Sequence, residues 1–199
     1  SGKHSTHSRP DYTPHFSLIM QILGHLIQGV AHHGGTRTQA VYNPATGAAI
    51  RSLQLADKAT VEQAIASAQA AFPAWRATPP LKRARVMSKL KELLEQNAEQ
   101  ICALITEEHG KVLADAMGEL QRGIENVEYA SYAPELLKGE HSKNVGVGID
   151  AWSEFQPLGV TAGITPFNFP AMVPLWMWPM AVVRSEEHTS ELQSRIRIS

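Results

Sequence analysis

The sequence predicts a mixed α/β chain, and three observations carry that expectation. A strand–turn–strand pattern covers Val41–Leu55, helical apolar spacing takes over from Asp57 to Tyr132, and extended text returns after Gly139. Beyond it, a run of small and branched residues, a proline-bracketed loop and an apolar stretch have the form of a strand feeding a helix. At 199 residues the chain suits one domain or two small ones. Its 18 Lys+Arg against 19 Asp+Glu give a net charge of -1, without the basic excess or stripe of a nucleic-acid binder. The lone cysteine, Cys102, excludes an internal disulfide framework and any multi-cysteine zinc site, so no metal is expected. No apolar run reaches the ~20 residues of a membrane helix. These counts describe ordinary globular material, expected in the cytoplasm.

Composition shifts at both ends. Residues 1–19 hold three of the nine histidines and show no periodicity, and Met20 is the first methionine. That stretch is expected to be upstream read-through, with translation starting naturally at Met20. Phe16–Ala31 has some features of a secretory h-region, but Gln21, Gly24, His25 and Gln28 interrupt it and no basic cluster precedes it. From Arg184 the chain reads RSEEHTSELQSRIRIS, abruptly polar, and this string resembles a translated sequencing-adapter oligonucleotide. Residues 184–199 are therefore set apart from the fold, and 20–183 is read as the native text.

Within 20–183 the elements follow in order. Ile22–Val30, with Ile, Leu and Val around Gly24 and Gly29, predicts one short strand. Asn43-Pro44-Ala45-Thr46-Gly47 is a turn signal between two strands. Asp57 or Thr60 can cap a helix whose stripe is Val61, Ala64, Ile65, Ala68, Phe72 and Trp75. Pro79-Pro80 separates it from a second helix, Leu81–Gln96, with Leu90, Leu93 and Leu94. A third spans Ala98–His109 through Ile101, Leu104 and Ile105, with Gly110 as its stop. A fourth, Leu113–Tyr132, carries Met117, Leu120, Ile124 and Val127 before Pro134. Val145–Phe155 reads as extended with a bulge or sharp twist, Leu158–Thr165 as a buried strand, and Ala171–Val183 as a buried helix with Trp176 and Trp178 in the core.

The loop Pro166-Phe167-Asn168-Phe169-Pro170 has a physical logic. Pro166 pushes Thr165 toward extended geometry, and Pro170 suits a first helical turn. Asn168 is thereby held at the carboxyl end of a strand, where open α/β sheets place their ligands. Its amide would suit stabilising an oxyanion, or it would simply hydrogen-bond its own turn.

The run QPLGVTAGITPFNFPAMVPLWMWPMAV (156–182) resembles the first nucleotide-fold strand and following helix of aldehyde dehydrogenases. Within it, AMVPLWMWPMA resembles the CoA-acylating methylmalonate-semialdehyde dehydrogenase branch, with Trp178 where Phe is usual. YNPATG (42–47), EEHGK (107–111), QRGIENVEYA (121–130) and LKGEHSKNVGVGIDAWS (137–153) support the likeness, which covers nearly all of 20–183. The resemblance implies the N-terminal part of that fold: the start of an NAD-binding, Rossmann-like domain plus an oligomerisation hairpin, its strand at about 141–156. It implies a homo-oligomeric, tetrameric parent enzyme that oxidises methylmalonate or malonate semialdehyde to an acyl-CoA, as in valine catabolism, with NAD and coenzyme A.

In such an enzyme Asn168 would donate its amide to the thiohemiacetal oxygen, and Thr165 and Phe167 would line the NAD site. Absence of a G-x-G-x-x-G carries little weight, because this superfamily binds NAD without it. Arg122, beside Gly123, would hold the substrate carboxylate through its bidentate fork; the competing reading is a surface arginine paired with Glu119 or Glu125. Cys102, between Ile101 and Ala103 with nothing nearby to lower its pKa, reads as a core residue. The family's nucleophilic cysteine, catalytic glutamate and ribose-binding lysine lie further along than this sequence extends, so the 199-residue chain is expected to be inactive. His32-His33 reads as a loop, and Gly146-x-Gly148 is too short for a phosphate loop. Two other readings stay open: another branch, such as a succinate-semialdehyde or betaine-aldehyde type, and a non-catalytic assembly module using the hairpin around Val145–Phe155 as an exposed strand.

Overall fold

The computed structural model describes residues 21–184 and 187–188. The terminal segments set apart by composition lie outside these residues, except for Arg184 and the pair Glu187-His188.

The expected single strand at Ile22–Val30 is three short ones, β1 Gln21–Leu23, β2 His25–Ile27 and β3 Val30–His32. Gln28 and Gly29 both have positive φ, 54° and 75°, the requirement of a tight two-residue hairpin turn between β2 and β3. At Gly24 a Cβ would meet the His32 carbonyl oxygen at 2.3 Å, so only glycine permits that crossing. His32 accordingly ends a strand rather than lying in a loop. β4 Thr38–Tyr42 and β5 Ala49–Gln54 form the expected pair around the 43–47 turn, and β1 adds to β5 in parallel.

Helix α1, Lys58–Ala77, is capped by Asp57, which accepts from the Thr60 backbone N–H at 2.8 Å and its hydroxyl at 2.7 Å. These hydrogen bonds, the backbone one foremost, hold the Asp57 carboxyl below its ordinary pKa. α2 is Pro80–Gln96, with Pro80 in its first turn, and α3 is Ala98–His109, closed by Gly110 at φ 86°. α4 spans Leu113–Ala130 and stops short of Tyr132; Pro134 starts a further short helix, α5 Ala133–Leu136, as proline does at a first turn.

α4 is the centre of the packing. Ala116, Leu120, Gly123, Ile124, Val127 and Ala130 form its buried stripe against α2, α3 and helix α6, Met172–Val183. Met117, Leu104, Leu93 and Ile65, expected in the apolar stripes, are exposed because each helix contributes a narrower face than its leucine count suggests. Cys102 is fully buried in this core beside the expected apolar set.

Of two extended segments, the first forms the expected hairpin and the second differs from expectation. The Val145–Phe155 region is a hairpin, β6 His141–Gly146 and β7 Ile149–Trp152, turning at Gly148 with φ 71° and forming no phosphate loop. Only Val160–Thr161, β8, is strand within Leu158–Thr165, and Leu158 and Ile164 are exposed rather than buried. Among the described residues β8 pairs only with the two-residue β9, Glu187–His188, in parallel, and the rest of that segment has no sheet neighbour among them. Trp178 packs on the core, but Trp176 is exposed, because a helix covered on one side leaves its outer residues bare.

Gly123 fixes the closest approach of α4 and α6. A Cβ there would lie 2.7 Å from Leu175 Cδ1 and 3.2 Å from its Cβ. Gly123→Ala is predicted to destabilise the protein, because overpacking of ~1–3 kcal/mol exceeds the gain in helix propensity of up to ~1 kcal/mol. Thermal melts of Gly123→Ala, Leu175→Ala and the double variant check this: the double should be more stable than the sum of the singles predicts.

Candidate functional site

The α6 end of the loop between β8 and α6 is tied at two points by side chains from elsewhere. Glu119, on α4, is 2% exposed and lies in the apolar stripe between Ala116 and Gly123. One carboxylate oxygen accepts the backbone N–H groups of Ala171 and Met172, at 2.8 and 3.2 Å. These are orphan donors at the start of α6, whose cap residue Ala171 has no side-chain acceptor, so Glu119 caps the helix from outside. The other oxygen pairs with the Lys111 ammonium.

Lys111 follows the left-handed Gly110 that ends α3. Its ammonium also donates to the Asn168 carbonyl oxygen at 2.8 Å and lies 3.9 Å from the centre of the Phe169 ring. Lys111 thus spends its charge on a carboxylate, a loop carbonyl and an aromatic face. The rest of the EEHGK motif is structural too: Glu107 and Glu108 grip Arg51 of β5 at 2.7 and 3.1 Å.

Asn168 is exposed at the turn before α6. Among the described residues its carboxamide makes no hydrogen bond, while its own carbonyl is held by Lys111. The alternative, an asparagine bonding its own turn, is not what the loop does. Thr165 is half-buried and Phe167 exposed on the same loop, so three of the four expected site residues come together. Among the described residues the backbone of 163–167 has no backbone partner, and Ile164 and Phe167 offer apolar surface beside it. Free peptide groups next to an apolar wall fit a flat, amide-bearing ring such as the nicotinamide of NAD.

Arg122 sits apart, exposed on α4 next to Gly123. Neither Glu119 nor Glu125 pairs with it; among the described residues no carboxylate does. Cys102 is fully buried in the core, and desolvation first, then the charge of Glu119, pushes its thiol pKa up, the opposite of an activated nucleophile. Among the described residues no cluster of three metal-binding side chains occurs, and no helix is long and apolar enough to cross a membrane.

Sequence reasoning did not anticipate Lys111 and Glu119 as a pair. The available signal was Glu119 itself, an acidic residue at a stripe position of α4, where an unpaired charge would be costly.

Comparison with known proteins adds independent support. The sequence pattern of the aldehyde dehydrogenase family matches residues 31–185. A malonate-semialdehyde dehydrogenase of Pseudomonas aeruginosa is 63% identical over 163 residues, 82% of this chain and 33% of its own length. Malonate-semialdehyde dehydrogenase 1 of Bacillus thuringiensis is 43% identical over 185 residues, 89% of this chain and 38% of its own. The crystal structure of methylmalonate-semialdehyde dehydrogenase from Oceanimonas doudoroffii superposes with a TM-score of 0.84 at 63% identity, covering 87% of this chain and 38% of that one. A structure from Sinorhizobium meliloti 1021, complexed with NAD and provisionally named methylmalonate-semialdehyde dehydrogenase, gives 0.83 at 41%, covering 86% and 35%. The chain spans about a third of the length of the curated relatives it matches. A strand, a PFNFP loop and a capped helix, within a match over residues 31–185, show that the chain belongs to the aldehyde dehydrogenase family.

Proposed function

We propose that the chain is part of an NAD-dependent, CoA-acylating dehydrogenase of malonate or methylmalonate semialdehyde. The observation that carries this reading is the Asn168 carboxamide, exposed and without a hydrogen-bond partner among the described residues, on a segment whose backbone is held at Asn168, Ala171 and Met172. A donor held without an internal partner costs no reorganisation when negative charge appears in front of it. The relatives named malonate-semialdehyde dehydrogenase, 63% and 43% identical, support the substrate class.

In the proposed reaction a cysteine thiolate of the intact enzyme attacks the aldehyde carbon, and the aldehyde oxygen becomes an oxyanion. Asn168 donates to that oxyanion. NAD, when bound, accepts the hydride that converts the adduct to a thioester. Thr165 and Phe167 belong to the loop that holds the nicotinamide half and keeps water from the reacting carbon. The carboxylate β to the thioester carbonyl leaves as carbon dioxide, its bonding pair passing into an enolate that takes a proton from water at the α-carbon. The coenzyme A thiol then gives up its proton and attacks the thioester carbonyl, which releases acyl-CoA and restores the cysteine thiolate. Arg122 meets the substrate carboxylate on binding, with a guanidinium that no carboxylate among the described residues occupies.

The exposed Val145, Val147, Ile149 and Trp152 of the β6–β7 hairpin support its use as the oligomerisation strand of about 141–156 in a tetrameric parent enzyme. A cytoplasmic enzyme of valine catabolism fits this substrate class. Residues 1–19 and 184–199 are proposed to be foreign to it.

Three outcomes test this reading. The intact enzyme should form NADH from malonate semialdehyde and release acyl-CoA only when coenzyme A is present; equal turnover without it favours a hydrolytic branch. In the intact enzyme Arg122→Leu should raise the KM for carboxylated semialdehydes about tenfold or more, the loss of one charge-assisted contact, while propanal is little affected. Equal effects on both substrates would remove Arg122 from the site. The 199-residue chain, whose one cysteine is buried, should produce no NADH in the same assay.

A further inference from the structure

We propose that Lys111 and Glu119 are positioning residues for Asn168, setting where its carboxamide points and so the rate of the oxidative step. The inference rests on the reading of Asn168 as the oxyanion donor and goes beyond it, because neither residue need touch substrate.

The geometry is a closed set of contacts. Segment 168–172 is held at its start by Lys111 on the Asn168 carbonyl, and at its end by Glu119 on the Ala171 and Met172 N–H groups. The ion pair between Lys111 and Glu119 joins those two anchors, and both side chains are largely buried, at 15% and 1% exposure. The Phe169 ring, between the anchors, lies under the ammonium at 3.9 Å. The side-chain hydrogen bonds that hold the segment therefore fall on backbone atoms, and among the described residues the Asn168 carboxamide makes none, which leaves it to meet a ligand. An ammonium on its carbonyl fixes the orientation of the 168–169 peptide, and the carboxamide follows from the same α-carbon. A shift of ~1 Å in such a donor lowers a rate by about 100-fold without changing the binding surface.

The test uses the full-length enzyme that contains this segment and the single-turnover rate of NADH formation. Asn168→Ala should lower that rate by about 10²–10³-fold, as removal of one oxyanion donor does. The variant Lys111→Met/Glu119→Gln leaves no buried lone charge and keeps an acceptor for the α6 N–H groups. It should lose about 10–100-fold in rate, with the semialdehyde KM and the NAD dissociation constant changed by no more than about twofold. Adding Asn168→Ala to this variant should cost nothing beyond Asn168→Ala alone. Losses that multiply in the triple variant, or an unchanged rate in the pair variant, overturn the positioning role. An unchanged rate in Asn168→Ala instead overturns the oxyanion reading, and the proposal with it. If the pair variant does not fold, Lys111→Arg carries the same cycle, because a guanidinium keeps the charge opposite Glu119 but cannot occupy the compact place of the ammonium. Its smaller loss must likewise vanish in the Asn168→Ala background.

Discussion

A carboxylate buried between two helices organises the start of α6 and the loop before it. Glu119 sits where the stripe of α4 calls for an apolar residue, and its charge is tolerable there only because three donors converge on it. Two of them are the first free N–H groups of α6 and the third is Lys111. Removing one partner of such a pair costs several times more than the pair's net contribution, because a bare charge is left in the interior. The arrangement therefore demands that α3, α4 and α6 meet in one register, and the Asn168 loop takes its place from that register.

The other end of α6 is held in a matching way. Trp75 of α1 donates to the Val182 carbonyl at 2.8 Å, and Arg83 of α2 to the Val183 carbonyl at 2.9 Å. Arg83, buried with its pKa lowered by desolvation, also donates to the Thr78 carbonyl at the end of α1. A helix needs such partners for its last carbonyls as it does for its first N–H groups. α6 contains Pro174 and Pro179 and no capping side chain of its own. Side chains from three other helices supply its caps, and Gly123 lets it lie close enough for them to reach.

What was legible in the sequence follows the range of each interaction. The Asp57 cap, the Gly110 stop and the 43–47 turn are local, and each sits where its residue type requires. The hairpin at Gln28-Gly29 was hidden, because a glutamine at φ 54° is not a turn signal in a sequence. Leu158 and Ile164 looked like buried strand residues, yet burial depends on sheet neighbours that the pattern of one strand does not reveal. The Asn168 loop was visible through its two prolines and through resemblance. Its anchors were not: Lys111 and Glu119 lie 57 and 49 residues earlier, and only folding brings them to it.

Preorganisation of a loop by a buried ion pair is a geometric claim, and a crystal structure of the full-length enzyme trapped with an aldehyde adduct and NAD tests it most directly. The expected result is a Lys111 ammonium bonded to both Glu119 and the Asn168 carbonyl, with the Asn168 Nδ2 about 3 Å from the adduct oxygen. An adduct oxygen held by other donors, with Asn168 turned away while the Lys111–Glu119 pair stays intact, would contradict it.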